Sequence, residues 1–139
     1  MKNAAFSELL GKTVVSVKGE KGDDRLEIQT SDGCHYALYH SYDCCESVAI
    51  EDITGDVADL IGEPLLEAEE VTSNDDPEGY KPESTYRESF TWTFYKLGTR
   101  KGRVTVRWLG ESNGYYSESV DFVCMLRPST PIDTTGEKK

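Results

Sequence analysis

The stretch SFTWTFYKLGTRKGRVTVRWLG, residues 89–110, decides the fold. Apolar and polar side chains alternate through it with a period of two, and a strand turns successive side chains to opposite faces of a sheet. The first half sets Phe90, Trp92 and Phe94 on one face and Thr91, Thr93 and Tyr95 on the other. The second half sets Val104, Val106 and Trp108 against Thr105 and Arg107. GTRKG between them has the length and the glycines of a hairpin turn, so the stretch predicts two antiparallel strands.

The same pattern continues on both sides. Downstream, Asn113-Gly114 is a strong hairpin cue, and YYSESVDFVCML, residues 115–126, reads as the third strand of a meander. Upstream, TVVSVKG (13–19), RLEIQTSDG (25–33) and CHYALYH (34–40) alternate in the same way, so residues 13–40 predict a second three-stranded meander. EDITGDVADLIGEP, residues 51–64, breaks the period. Val57, Leu60 and Ile61 there fall at helical spacing, and Gly62 and Pro64 end the run. LLEAEEVT, residues 65–72, then resumes the alternation, with Leu66, Ala68 and Glu70 on one side. The expected fold class is α+β, mostly antiparallel β, with two three-stranded meanders flanking a short acidic helical segment.

A chain of 139 residues suits one domain, expected over residues 1–127. Residues 73–88 carry two prolines, a glycine and many polar groups and read as a long exposed loop. PSTPIDTTGEKK, residues 128–139, reads as a disordered tail. The longest apolar runs, such as VVSV and FVCML, fall far short of the roughly 20 residues that cross a bilayer. The amino end lacks the pattern of a signal peptide, so the expectation is a cytoplasmic protein with no membrane partner. Cys34, Cys44, Cys45 and Cys124 are then expected to stay reduced.

The formal charge is −11, and it is unevenly spread. Residues 43–78 hold thirteen acids and no Lys or Arg, whereas residues 85–127 hold seven bases against four acids. This balance disfavours a nucleic-acid polymer as partner and leaves room for a small anionic ligand on the carboxyl half. The acidic block reads either as a solvated face or as an interface.

YHSYDCCESVAIEDITGD, residues 39–56, concentrates residue types that carry chemistry. A metal site is not expected, because zinc favours ligands separated by a few residues, and Cys44 and Cys45, if extended, point to opposite faces. The acidic surroundings also disfavour a reactive thiolate. Of the carboxylates at Glu51, Asp52, Asp56 and Asp59, Asp56 reads as a residue of the first helical turn. No catalytic residue and no cofactor is assigned.

The residues best suited to holding a ligand lie on the carboxyl half. Tyr95, Arg107, Tyr115 and Ser117 are expected to share the sheet face opposite the aliphatic one, with Asn113 in the adjoining hairpin loop. Aromatic planes and a guanidinium suit stacking on a base and gripping a phosphate. His40, Asp43 and Glu46 form either a second part of that site or a structural corner whose carboxylates accept backbone N–H groups. Glu118 falls on the apolar side of its strand, with Val120, Phe122 and Cys124, so it needs a partner such as Arg107 or Arg103, or a bulge that turns it outward.

Four stretches, LLGKTVVSV (9–17), DCCESVAIEDITGD (43–56), SFTWTFYKL (89–97) and VRWLGESNGYYSESVDF (106–122), together resemble an uncharacterised family of short phage and prophage proteins. The resemblance covers residues 9–123. Where its members often read His-x-Gln-Asp-Cys-Cys-Glu, Tyr42 here replaces the glutamine. The resemblance implies a phage accessory protein that acts by binding, with counter-defence as its setting. Its partner would be a small nucleotide signal or a host defence protein reached through the acidic face, and a homodimer is compatible with an exposed aromatic strand face. An enzyme acting on a nucleotide or sugar phosphate, with His40 and Asp43 as acid and base, is the third reading.

Overall fold

The computed structural model describes residues 2–41, 46–73, 89–112 and 117–126. They hold nine strands: β1 (Lys2–Asn3), β2 (Val14–Lys18), β3 (Arg25–Thr30), β4 (His35–Tyr39), β5 (Ser47–Thr54), β6 (Glu67–Ser73), β7 (Ser89–Thr99), β8 (Gly102–Ser112) and β9 (Asp121–Leu126). These form a five-stranded sheet in the order β1-β9-β4-β3-β2 and a four-stranded sheet in the order β5-β8-β7-β6. Every neighbouring pair within the two sheets is antiparallel.

The hairpin expected from residues 89–110 is the spine of the second sheet, paired without a break from Ser89↔Ser112 to Thr99↔Gly102. Its inward residues include Tyr95, Leu97, Val104, Val106 and Trp108, each at most 3% exposed. Leu26, Ile28, Tyr36 and Leu38 of the first sheet join the same cluster, so the two sheets bury one core. A 3₁₀ turn at Phe6–Leu9 adds Phe6 and Leu9 to it. The Phe6 ring lies 4.7 Å from Tyr95 of one sheet and 5.2 Å from Phe122 of the other, so one side chain stitches both layers.

The first expected meander forms as β2-β3-β4. The second does not. β9 leaves β8 and crosses to the first sheet, where Phe122 stands opposite Leu38 and Cys124 opposite Tyr36. Stacking explains the choice, since the Phe122 ring lies 5.1 Å from Tyr36 with the planes only 11° apart. The place beside β8 goes to β5, which sets Val48 opposite Gly110 and Ile50 opposite Trp108.

The expected acidic helical segment is a single 3₁₀ turn of four residues, Val57–Leu60. Asp56 caps it, accepting the Ala58 N–H at 3.0 Å. Gly55 before the turn and Gly62 after it both take positive φ, so too few residues remain to repay helix nucleation. The described residues therefore make an antiparallel β-fold rather than an α+β one. Ser73, assigned above to a loop, ends β6. Residues 74–88 and the tail at 128–139 lie outside the described residues. Cys34 and Cys124 are free thiols buried with the core. Among the described residues no helix is long and apolar enough to cross a membrane.

Candidate functional site

The crossing from β8 to β9 builds the most distinctive surface. Glu118 lies directly on β8 because Gly110 has no side chain there. A Cβ at Gly110 would come within 2.5 Å of the Glu118 carbonyl oxygen and 2.8 Å of the Glu118 Cβ. This close approach presses Glu118 inward until it is only 9% exposed. Its carboxylate accepts the Thr91 hydroxyl at 2.7 Å and the Ser112 hydroxyl at 2.5 Å. Two hydroxyl donors offset much of the cost of burying the charge.

Neither Arg107 nor Arg103 is the partner expected for Glu118. Both occupy positions of β8 that alternate with the inward Val104, Val106 and Trp108, so their side chains project from the outer face. Arg107 donates to Glu51 at 2.6–2.8 Å, and its guanidinium lies 5.2 Å from the centre of the Trp92 ring. Arg103 approaches Glu67 at 3.5 Å.

Tyr95 supports a second carboxylate from below. Its hydroxyl donates to Glu70 Oε2 at 2.6 Å, while the residue as a whole is fully buried. Burial first, then the bond to Glu70 and the nearby charges of Glu70 and Asp121, push the phenol well above its ordinary range. Tyr95 therefore stays a neutral donor that fixes Glu70.

Glu70, Thr93, Ser117, Glu118, Ser119 and Asp121 line one cleft of about 440 Å³. An adjoining cleft of about 470 Å³ runs between Asn3–Ser7 and β6, with Phe6, Ala68, Val120 and Phe122 among its walls. Both are bordered by Glu70, Val120 and Asp121, so they form one groove. Among the described residues no Lys or Arg lines either part. Among the described residues no three His, Cys, Asp or Glu side chains come together as a metal-holding group.

His40 fastens the groove wall to the rest of the fold. Its Nδ1 meets the Ser119 carbonyl at 2.7 Å, and its Nε2 meets Glu46 Oε2 at 2.7 Å. A carbonyl only accepts, so Nδ1 carries a hydrogen, and the contact between Nε2 and the carboxylate then holds a second proton. The two side chains are 2% and 0% exposed. Neither ring nitrogen is turned to a substrate, which weighs against His40 as acid or base.

The group of eight residues expected for a ligand is thus divided. Tyr95 faces the core and Arg107 the opposite side of the same sheet, so the two do not share a face. The two alternating sets of β7 lie on opposite faces as expected, but the inward set is the one containing Tyr95. Ser117 stands exposed on the groove, bonded to the Ser119 hydroxyl at 2.8 Å. Asp43, Asn113 and Tyr115 lie outside the described residues, as do Cys44 and Cys45.

The family model for a domain of unknown function, DUF7448, matches residues 7–122. The chain belongs to this family. No curated protein and no solved structure matches it. In this DUF7448 chain the groove adds Glu70, Thr91 and Asp121 to the residues singled out by sequence, and Ser112 holds Glu118 from within the fold. Only Glu118 gave a signal, as a carboxylate on an apolar strand face.

Proposed function

We propose that this protein is a binding protein whose acidic groove engages a cationic surface of another protein. The observation that carries this reading is the placing of Glu70, Glu118 and Asp121 along one groove with no base among the described residues of its walls. Glu70 is anchored by the Tyr95 hydroxyl, so it is held in position for a partner, and the buried Glu118 adds its charge to the groove wall. A nucleotide would meet like charge there. The pair of residues favoured for stacking and phosphate contact, Tyr95 and Arg107, is split between two faces. The resemblance to phage and prophage proteins makes the host cytoplasm the setting and a host defence protein the target of this proposal.

Calorimetric titration with an oligolysine peptide, compared with cyclic dinucleotides, tests it. The peptide is expected to bind, to bind more weakly at high salt, and to lose about tenfold in affinity when Glu70→Gln and Asp121→Asn are combined. Binding of the dinucleotide without binding of the peptide would overturn the proposal in favour of nucleotide sequestration.

A further inference from the structure

An edge strand offers a row of unpaired N–H and C=O groups, and folded proteins cover or shorten such edges. Among the described residues three of the four sheet edges follow that rule at least in part. The edge of β5 is met by the turn before β3, where Ile50 N–H donates to Asp23 O and Gly22 N–H to Ile50 O, both at 2.8 Å. The edge of β2 is met at its start by the chain after the second 3₁₀ turn, through bridges Thr13↔Pro64 and Val14↔Ile61. β1 is only two residues long. β6 differs, because it spans seven residues and among the described residues pairs with β7 alone. Among the described residues no backbone bond reaches the outer edge of β6 between Glu67 and Thr72.

The groove runs along this edge. Phe6, Val120 and Phe122 are its apolar floor, each buried to 8% exposure or less, and Glu69, Glu70 and Asp121 are its charged rim. We propose that β6 is a docking edge at which an extended basic segment of a partner protein adds as a fifth strand. Main-chain bonds to β6 supply affinity, and the period of two supplies specificity. One set of side chains in the segment is apolar and rests on the floor. The alternate set is Lys or Arg and lies on the outer face of the sheet, beside Glu69, while Glu70 and Asp121 flank the apolar floor on the inner side. The length of β6 suits a segment of about five to seven residues. A second copy of this chain is a poor occupant, because pairing β6 with itself would bring Glu67, Glu69 and Glu70 against their own kind.

This inference rests on the cationic-partner reading and adds its geometry, so the test separates the two. The probes are a seven-residue peptide alternating Lys with Val or Phe, and the same peptide N-methylated at every residue, which keeps charge and side chains but donates no N–H. Amide hydrogen exchange of the full chain follows β6, and sedimentation follows its oligomeric state. The expected result is a monomer whose outer β6 amides exchange rapidly when free and slow on adding the alternating peptide. The methylated peptide is expected to bind about 30-fold more weakly, as the loss of two or three backbone bonds implies. Equal binding of both peptides with β6 unprotected would overturn strand addition and leave the cationic-partner reading standing. Failure of both to bind would overturn that reading as well. Protection of all the β6 amides in the free monomer, or in a dimer, would assign the edge to the chain itself or to a second copy and overturn the inference.

Discussion

Replacing His40 by Ala is expected to destabilise the fold by about 4 kcal/mol, the usual cost of breaking a buried ion pair from one side. Three features of the pair set that magnitude. Glu46 is 0% exposed, so its carboxylate has no bulk solvent beside it when the ring is lost. The Ser119 carbonyl loses the donor it meets at 2.7 Å. The pair also joins segments far apart in the chain: the end of β4, the start of β5 and the crossing that carries Glu118. A domain of this size holds about 5–15 kcal/mol in total, so the loss is a large fraction of it. With a urea slope of about 2 kcal/mol per molar, the unfolding midpoint is expected to fall by about 2 M.

Glu46→Gln provides the contrast that makes this reasoning testable. A glutamine amide can donate to a neutral Nε2 while Nδ1–H still serves Ser119, so no extra proton is needed and the expected cost is about 1 kcal/mol. Combining His40→Ala with Glu46→Ala is expected to cost less than the sum of the single changes by about 2 kcal/mol, because each single change already breaks the pair. Urea denaturation of the set reads all three values. A midpoint shift below about 0.5 M for His40→Ala, or a Glu46→Gln variant as damaged as His40→Ala, would refute the account of a proton-sharing buried pair.

Gly110→Ala is expected to cost about 1–3 kcal/mol in urea unfolding, because the new methyl meets the Glu118 backbone rather than a movable side-chain tip. The same variant is expected to lose oligolysine binding in calorimetry as the groove wall shifts. Glu118→Ala, which strips the shared acceptor from Thr91 and Ser112, is expected to destabilise by about 1–3 kcal/mol, whereas Glu118→Gln is expected to stay within about 1 kcal/mol of the parent in the same assay. Asp32 carries an acid-dependent contribution. Burial alone would raise its pKa, but bonds from the Lys12 ammonium, the Thr30 hydroxyl and the Cys34 N–H together lower it. Its contribution is therefore full above the ordinary carboxylate range near 4 and is lost as pH falls below that range towards the depressed folded value. Because the side chain is 46% exposed, screening keeps the effect small, and Asp32→Asn is expected to flatten the acid limb of the urea midpoint against pH.

What the sequence made legible was the local period. The alternation in residues 89–110 and 13–40 gave the strands, because a period of two follows from strand geometry alone. It did not give the partner of each strand. YYSESVDF follows a hairpin cue, yet β9 pairs with β4, since the stacking of Phe122 on Tyr36 joins positions 86 residues apart and leaves no local trace. Alternation also leaves open which of the two sets is inward. In β7 the set with Phe90, Trp92 and Phe94 is the more apolar, but the set with Thr91, Thr93 and Tyr95 faces the core side, where Thr91 holds Glu118 and Tyr95 holds Glu70. The inversion has a physical cause. The inner face of the four-stranded sheet changes along its length from aliphatic, at Val104 and Leu97, to polar, at Thr91 and Ser112, where the crossing chain brings a carboxylate instead of an apolar side chain. A binary pattern averages over that change and assigns the threonines to solvent. The mismatch between Glu118 and its apolar neighbours marked the place where the average fails, and the acidic groove lies there.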